Sequence, residues 1–169
     1  MERLIAKEEI ARRVKEIARQ ISADYEGKSL VLVGILRGCV MFLADVMREL
    51  DPKLDVEVDF ITASSYGNGM KSTGEVTIFK DTISDLSGKH VLLVDDIIDT
   101  GATLAKLRVI FAQRAETVKT AVILSKPARR VEELEADYIG FEIPDRFVVG
   151  YGLDYAQKYR NLAEIFAYI

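Results

Sequence analysis

Apolar residues recur at Ile10, Val14, Ile17 and Ile21 across residues 7–21, with charge on the other faces. That spacing predicts an amphipathic helix, ended by Gly27. Residues 30–36 then read LVLVGIL, a short and wholly apolar run of the kind that forms a strand buried on both faces. Phe42, Leu43, Val46, Met47 and Leu50 give the apolar side of a second helix, and Pro52 lies just past its end. Residues 56–63 alternate and are β-branched, which predicts another strand. Residues 64–74, SSYGNGMKSTG, carry three glycines and little to bury, so they read as a mobile loop. A short strand is expected at 76–79 and a buried one at 91–94. The chain then passes through DDIIDTGAT into a helix carrying Leu104, Leu107 and Phe111, and residues 118–124 form the next strand.

Helices and strands alternate throughout, which predicts an α/β protein with an open, mostly parallel sheet flanked by helices. The pattern weakens after Lys126, where 138–143, 147–151 and 165–168 look like short strands of a small cap rather than additions to the sheet. No linker or repeat interrupts the chain, so residues 1–169 are expected to form one domain, with the cap built mainly from about 126–169.

Composition narrows the classes without choosing among them. The net charge of -4 and the absence of a basic stripe argue against a nucleic-acid partner. No apolar run approaches the ~20 residues needed to span a bilayer. Met1-Glu2-Arg3-Leu4-Ile5 has no long apolar core, so no signal peptide is expected. The single cysteine, Cys39, excludes an intrachain disulfide and fits a reducing, cytoplasmic setting.

The chemistry concentrates in residues 91–103, VLLVDDIIDTGAT. Four apolar residues carry the chain to the carboxyl edge of the sheet, where open α/β folds bind ligands. Asp95, Asp96 and Asp99 follow, and Thr100, Gly101, Ala102 and Thr103 lead into a helix. Free amides at a helix N-terminus attract an anion such as phosphate. Adjacent carboxylates accept hydrogen bonds from a diol or sit near a bound cation. A ligand with a phosphate and a ribose would use all of these groups. The plainer reading is that Asp99 and Thr100 only cap the helix. Three acids directly after a buried strand argue against it, because carboxylates there repel one another and lose hydration. No P-loop and no G-x-G-x-x-G is present.

VLLVDDIIDTGAT resembles the motif with which type I phosphoribosyltransferases bind phosphoribosyl pyrophosphate (PRPP). Residues 141–154, FEIPDRFVVGYGLD, closely resemble the purine-binding hood of hypoxanthine-guanine phosphoribosyltransferases. The likeness runs from LVLVGILRG to DYAQKYRN, most of the chain. It implies the type I phosphoribosyltransferase fold with a small hood made by the chain's two ends. It also implies purine salvage: transfer of the 5-phosphoribosyl group from PRPP to hypoxanthine or guanine, giving IMP or GMP and pyrophosphate.

The same resemblance implies roles for individual residues. Asp95 and Asp96 would hold the ribose hydroxyls close to magnesium, and Asp99 would take the proton from purine N7. Asp99, Thr100, Gly101, Ala102 and Thr103 would cradle the 5-phosphate. Leu36, Arg37 and Gly38 match the pyrophosphate loop, where the family has a non-proline cis peptide before the basic residue, and Arg160 would bind pyrophosphate. Lys126 would donate to the exocyclic oxygen at purine C6, Phe147 would stack on the base, and Val148 would contact it through backbone groups. Asp154 would hold a second magnesium beside the base. Ser65 and Tyr66 match the dipeptide of a mobile lid. Relatives are usually dimers or tetramers, so a homo-oligomer is expected.

Two departures stand out: Asp95-Asp96 where many relatives have Glu-Asp, and Arg37 where some have Lys. Taken without the resemblance, Lys126 before Pro127 reads as a solvated lysine and Phe147 as core. Arg129, Arg130, Glu132, Glu133 and Glu135 read as a solvated face. Cys39 reads as a small buried residue and His90 has no assigned role. The competing class is a transcription regulator with the same motif, which would bind RNA or DNA and lack turnover.

Overall fold

A computed structural model describes residues 1–65 and 75–169. Within them β1 (Glu2–Ile5), α1 (Lys7–Asp24), β2 (Ser29–Leu36), α2 (Val40–Glu49) and β3 (Asp55–Ser65) come first. They are followed by β4 (Val76–Lys80), β5 (His90–Ile98), α3 (Ala102–Ala112) and β6 (Thr117–Ser125). A single 3₁₀ turn at Pro127–Arg129 leads to β7 (Tyr138–Glu142), β8 (Val148–Val149) and β9 (Ile165–Ala167). The loop expected from residue 64 begins later, since the backbone of Ser64 and Ser65 ends β3; the rest of it, 66–74 with Tyr66, lies outside the described residues. No described helix is long and apolar enough to cross a membrane.

The main sheet has six strands in the order β4-β3-β2-β5-β6-β7. All neighbours are parallel except β3 and β4. Strand side chains alternate between faces, and the sequence uses that to build two cores. Leu30, Leu32, Leu92 and Val94 join α1 and α2 through Ile10, Val14, Ile17, Ile21, Phe42, Leu43 and Val46. Val31, Val33, Ile35, Val91 and Leu93 face the other way, against Leu104, Leu107 and Phe111 of α3. Each such side chain contributes about 1.5–3 kcal/mol by leaving water. Met47, expected on the apolar side of α2, is exposed, and Phe42, Leu43 and Val46 cover the core without it.

One expectation about the C-terminal part changes. Residues 138–142 do not join the cap: β7 pairs in parallel with β6 and extends the main sheet. The cap is a separate three-stranded sheet, β1-β9-β8, in which the chain's first residues take part, as the resemblance implied. Glu2 and Arg3 pair with Ala167 and Phe166, and Val148 also pairs with Ala167.

Cys39 is fully buried. Burial, with Asp95 and Asp96 close by, pushes its thiol up to about 12. Since the thiolate is the reactive form, a thiol-alkylating reagent at mildly alkaline pH should leave the native protein unlabelled and modify Cys39 fully in denaturant. Stoichiometric labelling of the native protein would contradict the burial.

Candidate active site

The crevice arises where two adjacent strands send their helices to opposite faces. After β2 the chain turns into α2, which packs with α1. After β5 it turns into α3, on the other face. A parallel sheet opens at such a switch point, at the carboxyl ends of its strands. The register shows the opening. Pairing between β2 and β5 stops at Gly34 and Val94. Beyond that point β2 continues along β3 as far as Leu36, and β5 continues along β6 as far as Ile98. A cleft of about 400 Å3 occupies the gap. Leu36 and Gly38 line one lip, residues 95–104 the other, and Asp154 and Arg160 reach in from the C-terminal part.

Asp95 and Asp96 do not follow the strand, as the sequence suggested; they lie inside β5, held by its pairing to β6. The amide of Asp96 donates to Asp95 Oδ1 at 2.9 Å, and the amide of Ile97 donates to Asp96 Oδ1 at 2.7 Å. Burial, then the neighbouring Asp96 charge, pushes the Asp95 carboxyl well above the ordinary carboxylate range. Burial also raises Asp96, while Asp95, the Ile97 amide and the Arg160 charge draw it back. Such a pair favours a ligand that brings hydroxyl donors or a cation. Gly38 presses on it: a Cβ there would sit 1.8 Å from Asp96 Oδ2. The Leu36–Arg37 peptide is cis, as the resemblance implied.

Asp99, Thr100 and Gly101 connect β5 to α3, and Gly101 caps the helix with φ +87°, a left-handed conformation that favours glycine. The loop is held largely by residues that the sequence reading placed on a solvated face. Arg130 is mostly buried, at 13% side-chain exposure, and its Nη1 donates to the Asp99 carbonyl at 2.5 Å. Its Nη2 donates to Ser125 Oγ and to Glu135, each at 2.8 Å. Arg129 Nε donates to Asp99 Oδ1 at 2.8 Å. The amides of Val131 and Glu132 donate to the Thr100 carbonyl at 3.0 and 3.2 Å. Nothing local in R-R-V-E-E announces these contacts, because the partners of the two arginines at residues 99 and 125 meet them only in the folded chain.

Residues 99–103, Leu36, Gly38, Arg160 and Asp154, expected at the phosphates and at the base with its magnesium, line one cleft, whereas Arg37 and, of the expected purine contacts, Lys126, Phe147 and Val148 stand outside its lining. Arg160 Nη1 donates to the Gly152 carbonyl at 2.6 Å, and its Nη2 pairs with Asp154 Oδ1 at 3.0 Å. Arg37 is exposed beside the cleft. Lys126 is only 8% exposed, not the solvated lysine its place before a proline suggests. Its Nζ lies 4.0 Å from Asp145, and its amide donates to the Ile98 carbonyl at 3.0 Å, next to Asp99. Phe147 is 52% exposed, so it is not core. Its ring meets Tyr155 and Tyr168 edge-on, with centroids 5.8 and 6.2 Å away. Val148 is buried in β8. Among the described residues no three His, Cys, Asp or Glu side chains converge as a metal site.

Comparison with known proteins places this geometry in a family. Residues 1–156 match the model of the phosphoribosyl transferase domain. A hypoxanthine phosphoribosyltransferase of Escherichia coli is 49% identical over 168 residues, covering 98% of this chain and 93% of that protein. The bifunctional TilS/HprT protein of Listeria monocytogenes is 46% identical over 163 residues; the match covers 96% of this chain but only 25% of the longer protein. Among solved structures, a hypoxanthine phosphoribosyltransferase from Staphylococcus aureus superposes with a TM-score of 0.95 at 43% identity, covering 99% of this chain and 91% of that one. A hypoxanthine-guanine phosphoribosyltransferase from Bacillus anthracis gives 0.93 at 45% identity, covering 100% and 99%. This chain therefore belongs to the phosphoribosyltransferase family, in the branch of relatives named hypoxanthine phosphoribosyltransferases.

Proposed function

We propose that this chain joins hypoxanthine or guanine to the ribose 5-phosphate of PRPP, releasing pyrophosphate. One observation carries the reading: residues 95–103 meet Asp154 and Arg160, from a distant part of the chain, in a single crevice. The named relatives and their near-complete coverage support the same substrates.

In this reading the first-turn amides of α3 and the Thr100 and Thr103 hydroxyls bind the 5-phosphate, where free N–H groups and the helix dipole favour an anion. Asp95 and Asp96 accept hydrogen bonds from the ribose hydroxyls, which relieves two crowded carboxylates. Attack of the base at ribose C1 builds positive charge there and sends electrons toward pyrophosphate. Arg37 and Arg160 stabilise that leaving group, and Asp99 takes the proton from the base. Lys126 donates to the oxygen at purine C6, which selects 6-oxopurines over adenine.

The donor set suits magnesium. It offers carboxylate oxygens without a closed three-ligand cage among the described residues, and Mg2+ commonly binds through one or two carboxylates plus substrate phosphates and water. Asp95 and Asp96 would hold one ion and Asp154 a second, and when bound they would offset the negative charge of the pyrophosphate.

The test is a spectrophotometric assay with PRPP, magnesium and each of hypoxanthine, guanine, xanthine and adenine. Turnover of the first two and not of adenine is expected. Lys126→Ala should raise KM for the purine about tenfold or more, the loss of one charge-assisted hydrogen bond, with a smaller change for PRPP. Silence with every base would overturn the assignment, and equal loss of both substrates in the variant would remove the C6 role.

A further inference from the structure

Two guanidinium groups converge on one neutral side chain at the edge of the crevice. Arg37 Nη1 donates to Gln157 Oε1 at 3.0 Å, and Arg160 Nη2 donates to the same oxygen, also at 3.0 Å. The Gln157 amide donates to Asp154 Oδ2 at 2.7 Å, which ties its backbone to the carboxylate that pairs with Arg160.

The backbone at this point is unusual. The Tyr155 amide donates to the Lys158 carbonyl at 3.1 Å, and the Lys158 amide returns a bond to Tyr155 at 3.0 Å. Between them Ala156 and Gln157 both have positive φ, +50° and +67°. A two-residue turn with both central residues left-handed favours glycine and asparagine. Each side chain forced into that region costs on the order of 1 kcal/mol. The chain nevertheless places a long polar side chain at the second position, aimed at two arginines.

We propose that Gln157 is a positioning residue: its carboxamide oxygen gathers Arg37 and Arg160 into one anion-binding pair for the pyrophosphate end of the substrate. This rests on the phosphoribosyl-transfer reading above, in which those arginines meet the leaving group. Two guanidiniums repel each other, so an acceptor between them is needed to hold both. A carboxylate would hold them more strongly, but it would also cancel the charge that must meet pyrophosphate. A carboxamide orients them and adds no negative charge to that of Asp154, which already pairs with Arg160. Each guanidinium has five N–H donors, so both keep donors for phosphate oxygens, Arg37 more than Arg160, which also serves Gly152 and Asp154.

The test compares Gln157→Gly and Gln157→Met with the parent protein, titrated with pyrophosphate and with IMP in the presence of magnesium. Glycine suits the left-handed turn and methionine keeps the side chain's length; both remove the acceptor. Pyrophosphate Kd is expected to rise about fivefold to tenfold in both, on the scale of couplings between contacting residues. IMP, which carries no pyrophosphate, should bind as before. Gln157→Gly should melt no lower than the parent, and in an Arg37→Ala background its effect on pyrophosphate should fall below about twofold. Unchanged pyrophosphate affinity in both variants would overturn the proposal. Equal weakening of IMP would also overturn it, since that marks a disturbed loop. If the parent itself binds neither PRPP nor pyrophosphate, the functional reading fails first and this proposal with it.

Discussion

Asp99→Asn is expected to lower turnover by about 10²–10⁴-fold, the usual contribution of a positioned general base, while PRPP still binds. The loop around Asp99 explains why the two effects should separate. Arg130 grips the Asp99 carbonyl, not its carboxylate. The Thr100 carbonyl accepts from Val131 and Glu132, and the Ile98 carbonyl accepts from Lys126. These contacts are indifferent to the charge at residue 99. An asparagine can still accept from Arg129 through its carbonyl oxygen, so the phosphate cradle of residues 100–103 stays in place. What disappears is the capacity to accept a proton. The check is kcat from steady-state turnover beside PRPP affinity from direct titration. Near-normal turnover in the variant would remove the base role from Asp99, and a parallel collapse of PRPP binding would show that the residue shapes the cradle instead.

The second large effect is steric. Gly38→Ala places a methyl group 1.8 Å from Asp96 Oδ2 and 2.4 Å from its Cγ. No real contact is that short, so either the carboxylate turns away or the loop after β2 moves. Overpacking of this kind typically costs about 1–3 kcal/mol of stability. The functional loss should be larger, because Asp96 and the 36–38 loop face the same ligand. Displacement by about 1 Å can lower a catalytic rate by ~10²-fold. PRPP affinity is therefore expected to fall at least tenfold, with helix content by circular dichroism retained. Parent-like PRPP affinity in a folded Gly38→Ala protein would mean that the Asp96 carboxylate does not contact the substrate in its present position.

The parts that could be read without a structure are those in which one segment carries its own signal. LVLVGIL suits a strand covered on both faces, and the Ile10, Val14, Ile17, Ile21 stripe suits one side of a helix; both formed. The DDIIDTGAT run combined clustered acids and a helix start just after an apolar run, so its place at the carboxyl edge of the sheet could be read, though not that β5 runs on through the acids to Ile98. Periodicity and local electrostatics are short-range properties.

Long-range contacts decided the rest. β1 buries only Ile5 and exists because β9, at the other end of the chain, pairs with it. Residues 138–142 enter the main sheet because β6 offers a parallel edge, a partner no local pattern announces. Asp95 and Asp96, poor strand formers, are held extended by β6, which brings the acids to the floor of the crevice. Arg129 and Arg130 resemble a solvated face until Asp99 and Ser125 arrive beside them. Gln157 is one polar residue in a C-terminal turn until Arg37 approaches from residues far earlier in the chain. The sequence by itself determined the central strands, the helices and the clustering of acids before α3, because those depend on neighbours along the chain. Which charges face each other across the crevice, and which residues hold them there, was decided only by tertiary structure, because the partner of each lies in a segment that folding alone brings near.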